Sequence, residues 1–138
     1  LQERHWGGLI VIQRETGLRS YKDQGTQLKA EVTAPLLVSI FNPSSPLHDG
    51  AVIIQNDIID AAACILPLTE STMIDQEMGT RHRAALGISE ETDAIVVLIS
   101  EEKARISVAE NGRFAHIGMD DIALRKYLND RLFIASGD

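Results

Sequence analysis

The sequence predicts an α/β domain in which helices flank a central mixed β-sheet. Its residues 1–138 fit a single domain, and 44% of them are apolar, which suffices for one hydrophobic core. Segments typical of strands alternate with segments typical of helices. Two hairpins interrupt this alternation, so we expect a mixed sheet with both faces covered rather than a wholly parallel one.

The first elements are a buried strand, a short helix, a second strand and a longer helix. Residues 6–13 (WGGLIVIQ) contain a continuous apolar run, which predicts the buried strand. Residues 15–25 are polar and predict a connection with a short helix. Residues 29–41 predict a short strand and then a helix, with Thr33 as its N-cap and Pro35 in its first turn.

The rest of the chain predicts two hairpins with a helix and a strand between them, and a closing helix. Asn56-Asp57 and Asn111-Gly112 are turn sequences between apolar runs, and each predicts the turn of a hairpin. In chain order we expect a hairpin over 51–66, a loop over 67–78, a helix over 80–91, a strand over 93–100, a hairpin over 105–117 and a helix over 120–133 capped by Asp120 or Asp121.

The charge of the chain argues against non-specific binding to nucleic acid. The formal net charge is −7 at pH 7, whereas phosphate backbones require a basic face. A phosphate-bearing ligand must therefore be held by a few local arginines, by backbone N–H groups or by a metal.

The single cysteine and the hydropathy pattern bear on location. Cys64 lies in the apolar run AAACIL, so we expect a small core residue in an intracellular protein without disulfides. No apolar stretch reaches the roughly 18–20 residues that cross a bilayer. Because the chain begins at Leu1 rather than Met, we expect it to be one domain of a longer protein.

A turn that carries an acid precedes the first hairpin. In PLHDGAVII, His48 and Asp49 stand next to Gly50 and an apolar strand that would hold them rigidly. Gly50 permits a positive φ or the close approach of a ligand. Asp49 could simply bind local amides, but neighbouring imidazole and carboxylate groups can also share a divalent cation, and the carboxylate is the better ligand for Mg²⁺ or Mn²⁺.

A basic helix start follows in GTRHRAALGIS. Thr80 is the predicted N-cap, and the first turn then presents N–H groups and partial positive charge. Further positive charge from Arg81, His82 and Arg83 destabilises this turn unless an anion binds there. The two arginines project about 200° apart on a helix. We expect one to hold phosphate and the other to brace an acidic neighbour or reach across an interface, although a solvated basic turn remains the alternative.

The residues quoted so far closely resemble the diadenylate cyclase (DAC) domain family, whose signatures are the Asp-Gly-Ala and Arg-His-Arg motifs. The similarity extends to GLIVIQRETGL, IFNPSSPLHDGAVI and AAACILPLTES, and it covers about residue 7 to residue 116. The sequence is most similar to the membrane-anchored subgroup. The resemblance therefore implies a cytoplasmic catalytic domain in a protein that upstream segments anchor in the cell membrane.

The resemblance implies an activity, a metal and a partner. The activity is the condensation of two ATP molecules into cyclic di-AMP with release of two pyrophosphates, on a DAC-domain fold. The metal is Mn²⁺ or Mg²⁺, with Co²⁺ as a further candidate. Because the product is two-fold symmetric, the implied catalytic state is a face-to-face homodimer in which each copy holds one ATP.

The resemblance also assigns roles around the acid turn. Asp49 would ligate the metal near the attacking 3′-oxygen, with His48 as a second ligand. Gly50 and Ala51 would let the backbone approach the ribose and the phosphates.

The remaining implied contacts are with ATP. Gly79, Thr80, Arg81, His82 and Arg83 would bind the triphosphate. Ser100 and Glu102 match strand-end positions that contact phosphate or metal, although Glu101 and Glu102 by themselves are typical of solvated hairpin residues. The backbone of Leu66 would meet the edge of adenine. Ile65 stands where many relatives have a tyrosine that stacks on the base, so we expect weaker adenine binding or a substitute cover.

Two other functions stay open on the residues alone. One is a regulatory module that binds ATP or a dinucleotide without turnover, and the other is a metal-dependent phosphohydrolase. A cyclase is expected to give cyclic di-AMP, a binding module no product, and a hydrolase ADP or AMP.

Overall fold

A mixed sheet with helices on both faces forms the core of the computed structural model, which describes residues 6–70, 79–100 and 105–132. The described elements are β1 (Gly8–Ile12), α1 (Arg19–Lys22), β2 (Thr26–Glu31), α2 (Ala34–Phe41), β3 (Ala51–Gln55), β4 (Ile58–Cys64), α3 (Thr80–Glu91), β5 (Ile95–Ile99), β6 (Ile106–Glu110), β7 (Arg113–Met119) and α4 (Asp121–Leu132).

The strand order is β2-β4-β3-β1-β5-β6-β7. Strands β1 and β3 run parallel, and each of the other neighbouring pairs is antiparallel. The mixed sheet predicted from the two hairpins is therefore confirmed. The parallel pair needs a crossover, and α1, β2 and α2 lie between its two strands in the chain.

Alternate residues of β1 serve the two faces of the sheet, as the two-residue period of a strand requires. Leu9 and Val11 join the core cluster that contains the buried residues of α3. Ile10 and Ile12 pack instead with the clusters that contain α2 and α4. The apolar runs of the central strands are thus explained by burial on both faces.

The register of the central strands brings four chain segments to one end of the sheet. Gly8 of β1 pairs with Ile99 of β5, and Ala51 at the start of β3 pairs with Cys64 at the end of β4. Because β1 and β3 are parallel, both begin at this end. The carboxyl ends of β4 and β5 therefore meet the amino ends of β1 and β3.

Both predicted hairpin turns are present. Asn56 and Asp57 have φ values of 51° and 64°, and Asn111 and Gly112 have φ values of 56° and 78°. Two successive residues with positive φ form the type of turn that matches the twist of antiparallel strands.

The predicted caps of α2 and α4 are also confirmed. The Thr33 hydroxyl accepts a hydrogen bond from the Leu36 N–H at 3.2 Å. Of the two acids offered for α4, Asp120 is the cap, since it accepts from the Ala123 N–H at 2.7 Å.

Two segments depart from the sequence-based boundaries. Strand β2 begins at Thr26 rather than at residue 29, and its pairing with β4 shifts between Gln27 and Ala30. Lys29 lies in this irregularity with a φ of 53°, so the alternation that reveals a regular strand is lost. Most of the predicted loop 67–78 falls outside the described residues.

Among the helices that are described, none has the length and apolar character to cross a membrane.

A buried carboxylate attaches α4 to the sheet. Glu110 at the end of β6 is 7% exposed, and the Tyr127 hydroxyl of α4 donates a hydrogen bond to it. The Arg14 guanidinium forms an ion pair with the other carboxylate oxygen at 3.4 Å. Tyr127 is itself buried among residues of β5 and β6.

We predict that Tyr127→Phe lowers the free energy of unfolding by about 1–3 kcal/mol, because a buried carboxylate loses one of its hydrogen-bond donors and keeps Arg14. The matched control is Tyr21→Phe, which removes a tyrosine donor to Glu91 near the surface and is expected to change stability by about 0.5 kcal/mol or less. Urea unfolding measures both variants. Equal losses in the two would contradict the assigned role of burial.

Candidate active site

A cavity of about 750 Å³ lies at the sheet end where the four segments meet. Its size falls within the roughly 300–1,000 Å³ that is usual for small-molecule sites. Leu9 and Leu98, which pair across β1 and β5, contribute to its floor. The acid turn, the segment after β4 and the start of α3 form its walls.

The acid turn contributes Asp49 and Gly50 to the cavity. Gly50 has a φ of 101°, so the prediction of a positive φ is confirmed. A Cβ at this position would lie 2.8 Å from backbone atoms of both Ala63 and Cys64. The close approach of β4 therefore requires glycine here.

The Asp49 carboxylate is exposed at the cavity. No salt bridge with Asp49 is present within the part of the chain that the structure describes. Nδ1 of the neighbouring His48 ring lies 2.7 Å from the Ser45 carbonyl oxygen, and it donates the hydrogen bond because a carbonyl can only accept one. In a neutral ring with this tautomer, Nε2 carries the lone pair, although His48 is not among the residues that line the cavity.

The start of α3 forms another wall of the cavity. The predicted N-cap, Thr80, is wrong: Gly79 is the cap, with extended backbone at φ −80° and ψ −176°, and Thr80 is the first helical residue. Glycine, like threonine, is among the residues preferred at the N-cap. The first intrahelical bond is from the Arg83 N–H to the Gly79 carbonyl oxygen at 3.2 Å. Gly79 has no side chain that could accept from the first-turn amides.

The basic residues of α3 separate as their spacing predicts. Arg81 and His82 line the cavity, whereas Arg83 is not among its lining residues. All three side chains are half-buried, and the first turn of α3 contains no acidic residue. The His82 ring packs edge-on against Phe114 of β7, with ring centroids 5.7 Å apart and planes at 67°. This contact fixes the orientation of an imidazole that faces the cavity.

The segment after β4 supplies an apolar wall. Leu66 is buried in the core, while Ile65 is 67% exposed and Leu68 50% exposed at the cavity. Cys64 lies below them and is buried, as predicted. Burial raises the pKa of the Cys64 thiol to about 11, so at neutral pH it is protonated and adds to the apolar lining.

The other predicted site residues divide into three groups. Ser100 follows β5 and lines the cavity. Ala51 is fully buried in β3 behind Gly50, so its side chain is a core group. Glu101 and Glu102 lie outside the described residues.

The described acids and imidazoles offer a partial set of metal ligands. No group of three or more His, Cys, Asp or Glu residues is placed to hold an ion within residues 6–70, 79–100 and 105–132. Asp49 provides one exposed hard oxygen donor, and Mg²⁺ is commonly held by one or two carboxylates together with substrate phosphates and water. The donor set therefore fits a cation that phosphate oxygens help to coordinate.

Sequence reasoning missed Leu9, Leu98 and Leu68 as lining residues, and Phe114 as the residue that packs against His82. The two floor leucines meet only through the register of β1 with β5. Phe114 reaches His82 only because α3 packs on the face of the sheet to which Phe114 of β7 points. Leu68 alone had a local signal, since it follows Leu66 by two residues in the same apolar segment.

Comparison with known proteins identifies a family model that matches residues 1–114. Its description is "DAC: DisA bacterial checkpoint controller nucleotide-binding". The match includes the acid turn, the apolar wall, the start of α3 and Phe114.

Two curated relatives are similar at high identity. "Cyclic di-AMP synthase CdaA" of Bacillus subtilis is 49% identical over 128 residues, which are 93% of this chain and 46% of that protein. "Diadenylate cyclase CdaS" of Bacillus thuringiensis is 54% identical over 112 residues, which are 81% of this chain and 56% of that protein. The chain thus spans about half the length of these relatives.

Among solved structures, a double mutant of DacA from Staphylococcus aureus superimposes with a TM-score of 0.92 at 42% identity. The match covers 96% of this chain and 87% of that one. The mixed sheet with flanking helices is therefore also the fold of this relative.

We predict that Gly50→Ala destabilises the protein by at least about 1 kcal/mol, because alanine disfavours the positive φ and its Cβ would collide with β4. Gly17→Ala is the matched control, since a Cβ there meets no atom within 4 Å. Thermal melting compares the two. A Gly50→Ala protein that melts with the Gly17→Ala protein would show that β4 does not constrain this turn.

Proposed function

The chain belongs to the DAC domain family, and on that premise we propose that it condenses two ATP molecules into cyclic di-AMP and releases two pyrophosphates. One observation supports this most: the Asp49 carboxylate and the residues Gly79–His82 line the same cavity, beside an apolar wall. A carboxylate, a basic helix start and an apolar wall are the groups that a cation, a triphosphate and a base require.

In this proposal the triphosphate binds at the start of α3. Amides of the first turn, the hydroxyl of Thr80 and the side chains of Arg81 and His82 would hold its oxygens. The positive charge at this tip is locally unfavourable without an anion, and the rest of the chain is acidic. Ser100 would bind a phosphate from the neighbouring strand end. Arg83, which is not among the residues that line the cavity, is the better candidate for bracing an acidic neighbour or reaching an interface.

The base would lie against the apolar wall. The backbone of Leu66 would meet the edge of adenine, and the exposed side chains of Ile65 and Leu68 would cover its face. Gly50 and the backbone of Ala51 would lie beneath the ribose. Isoleucine in place of an aromatic residue at position 65 removes stacking worth about 1–3 kcal/mol per base.

Asp49 would hold a divalent cation, with Nε2 of His48 and the carboxylate of Glu102 as further candidate ligands. When bound, Mn²⁺, Mg²⁺ or Co²⁺ would offset negative charge on the α-phosphate and on the departing pyrophosphate. Asp49 would also orient the 3′-hydroxyl of the bound ATP, and in-line positioning supplies most of the catalysis in such transfers.

The reaction requires a second copy of the chain. In each half-reaction a 3′-oxygen of one ATP forms a bond to the α-phosphorus of the other, the bond from that phosphorus to pyrophosphate breaks, and the hydroxyl proton is released. Two such events close a two-fold symmetric ring, for which two copies related by a two-fold axis are the simplest arrangement. The exposed Ile65 and Leu68 at the cavity edge are consistent with an opposing face.

The whole protein extends this proposal. The matched segments make up 46% and 56% of these two relatives, so the activity would belong to one domain of a larger molecule. Attachment of that molecule to the cell membrane through upstream segments, with this domain in the cytoplasm, stays a prediction of the resemblance.

The direct test incubates the protein with ATP and Mn²⁺ and identifies products by mass spectrometry. We expect cyclic di-AMP and pyrophosphate, with specific activity that falls on dilution because two copies must meet. ADP or AMP formed at constant specific activity would indicate a hydrolase instead. Binding of ATP without product, over a range of metals and protein concentrations, would indicate a regulatory module.

We predict that Asp49→Asn lowers the rate of product formation by at least about a hundredfold, while the melting temperature changes by about 3 °C or less. The carboxylate is exposed, so its loss removes chemistry rather than packing. Asp57→Asn is the matched control at a hairpin turn away from the cavity, and it is expected to retain activity. A fully active Asp49→Asn enzyme would refute the assigned role.

We predict that Ile65→Tyr tightens nucleotide binding about 5- to 150-fold, equivalent to the 1–3 kcal/mol of one stacked base. Fluorescence titration with a non-reacting ATP analogue measures the dissociation constant. Ile65→Val is the control: it changes the isoleucine side chain without adding an aromatic ring, and it is expected to bind the analogue no more tightly than the parent protein. Unchanged affinity in the tyrosine variant would mean that position 65 does not face the base.

A further inference from the structure

The apolar wall is fastened to α3 at its far end. Residues 65–69 leave β4 and cross the side of the helix. The Thr69 N–H donates to the Arg83 carbonyl oxygen at 3.0 Å, and the Thr69 hydroxyl donates to the carboxylate of Glu90. Thr69 is 5% exposed, so both bonds lie at a closely packed contact.

Gly87 allows this contact to form. A Cβ on Gly87 would lie 1.9 Å from the carbonyl oxygen of Pro67 and 3.1 Å from the carbonyl carbon of Leu68. No side chain fits in that space, and the obstructing atoms are backbone that cannot rotate aside. The wall therefore lies directly on the helix backbone at this residue.

The three helix positions that hold the wall share one face of α3. Arg83, Gly87 and Glu90 follow a spacing of four and three residues, which places them in one row along the helix. The cavity-lining start of the same helix, at Thr80, lies about 10 Å away from Gly87 along the axis, at 1.5 Å per residue. One rigid element thus carries two parts of the site. One is the start of the helix, residues 79–82, where the triphosphate would bind (the triphosphate tip). The other is the attachment of the apolar wall, against which the base would lie (the base wall).

We propose that Gly87, Thr69 and Glu90 are positioning residues that fix the separation between the base wall and the triphosphate tip. They touch neither the base nor the phosphates; they act through Leu66 and Leu68. The inference rests on the proposed function, because it takes ATP as the ligand that spans both sites. Its consequence is selective: disturbing the attachment weakens ligands that contact both sites and leaves ligands of the tip alone unaffected.

The test compares two ligands by titration calorimetry in the presence of Mg²⁺. One is 3′-deoxyadenosine triphosphate, which contacts both sites and cannot condense because it lacks the attacking hydroxyl. The other is inorganic tripolyphosphate, which can occupy only the triphosphate tip. Neither measurement depends on turnover.

Thr69→Val deletes the hydroxyl at nearly constant volume. We expect the dissociation constant of the nucleotide to rise about tenfold, as for the loss of one hydrogen bond to a charged group, while that of tripolyphosphate changes by about twofold or less. Thr69→Ser keeps the hydroxyl and is expected to restore nucleotide binding. Combining Thr69→Val with Glu90→Ala is expected to add little to the single change, because the two groups act as one pair.

The matched control is Thr92→Val, which removes the hydroxyl of the residue that caps the carboxyl end of α3 and makes no contact with Thr69 that the structure gives. That hydroxyl donates to the Ile88 carbonyl oxygen at 2.8 Å and is not part of the cavity. We expect this variant to lose stability without a change in the ratio of the two dissociation constants. Gly87→Ala should show the largest selective loss if it folds, and the Thr69 variants decide the question if it does not.

Three results would overturn the inference: an unchanged nucleotide affinity in Thr69→Val, an equal loss for both ligands, or a selective loss in Thr92→Val. Failure of the proposed function is recognised separately. Parent protein that binds both ligands but forms no cyclic di-AMP from ATP would refute the reaction. The ratio of the two dissociation constants in the variants would still decide the positioning role. Parent protein that binds neither ligand would refute both.

Discussion

The register of the four central strands is the constraint on which the site depends. Parallel pairing of β1 with β3, between antiparallel neighbours, brings Asp49 and Gly50 to the same sheet end as Ser100 and the wall after Cys64. A shift of one residue would turn alternate side chains to the opposite face. The buried residues on both faces resist such a shift, so the core holds the acid turn in place against the cavity.

Helix α3 is the second fixed element, and its sequence combines two opposing demands. Its centre, Ala84–Ser89, is buried against the sheet, which stabilises the fold. Its start concentrates positive charge where the helix dipole is already positive, which weakens the helix in the absence of an anion. Burial of the centre stabilises the helix enough to offset the unfavourable positive charge at its start. In our proposal the bound triphosphate then neutralises that charge.

Local sequence signals revealed most of the fold and about half of the site. Hairpin turns at Asn56-Asp57 and Asn111-Gly112, and caps at Thr33 and Asp120, depend on neighbouring residues and could be predicted. The cap of α3 was misassigned by one residue because threonine and glycine both suit that position. Contacts between distant segments had no such signal. The pairing of Leu9 with Leu98, the packing of Phe114 on His82 and the attachment of Thr69 to Glu90 depend on register and helix placement, which only the folded chain defines.

The central claim is that one nucleotide is held by the acid turn and the start of α3 together. Paramagnetic broadening by Mn²⁺ in amide NMR spectra, recorded with 3′-deoxyadenosine triphosphate, tests it most directly. The account predicts that signals of Asp49 and Gly50 weaken together with those of Gly79–His82, and that Asp49→Asn abolishes both effects. Broadening at only one of these segments, or broadening that survives the substitution, would contradict it.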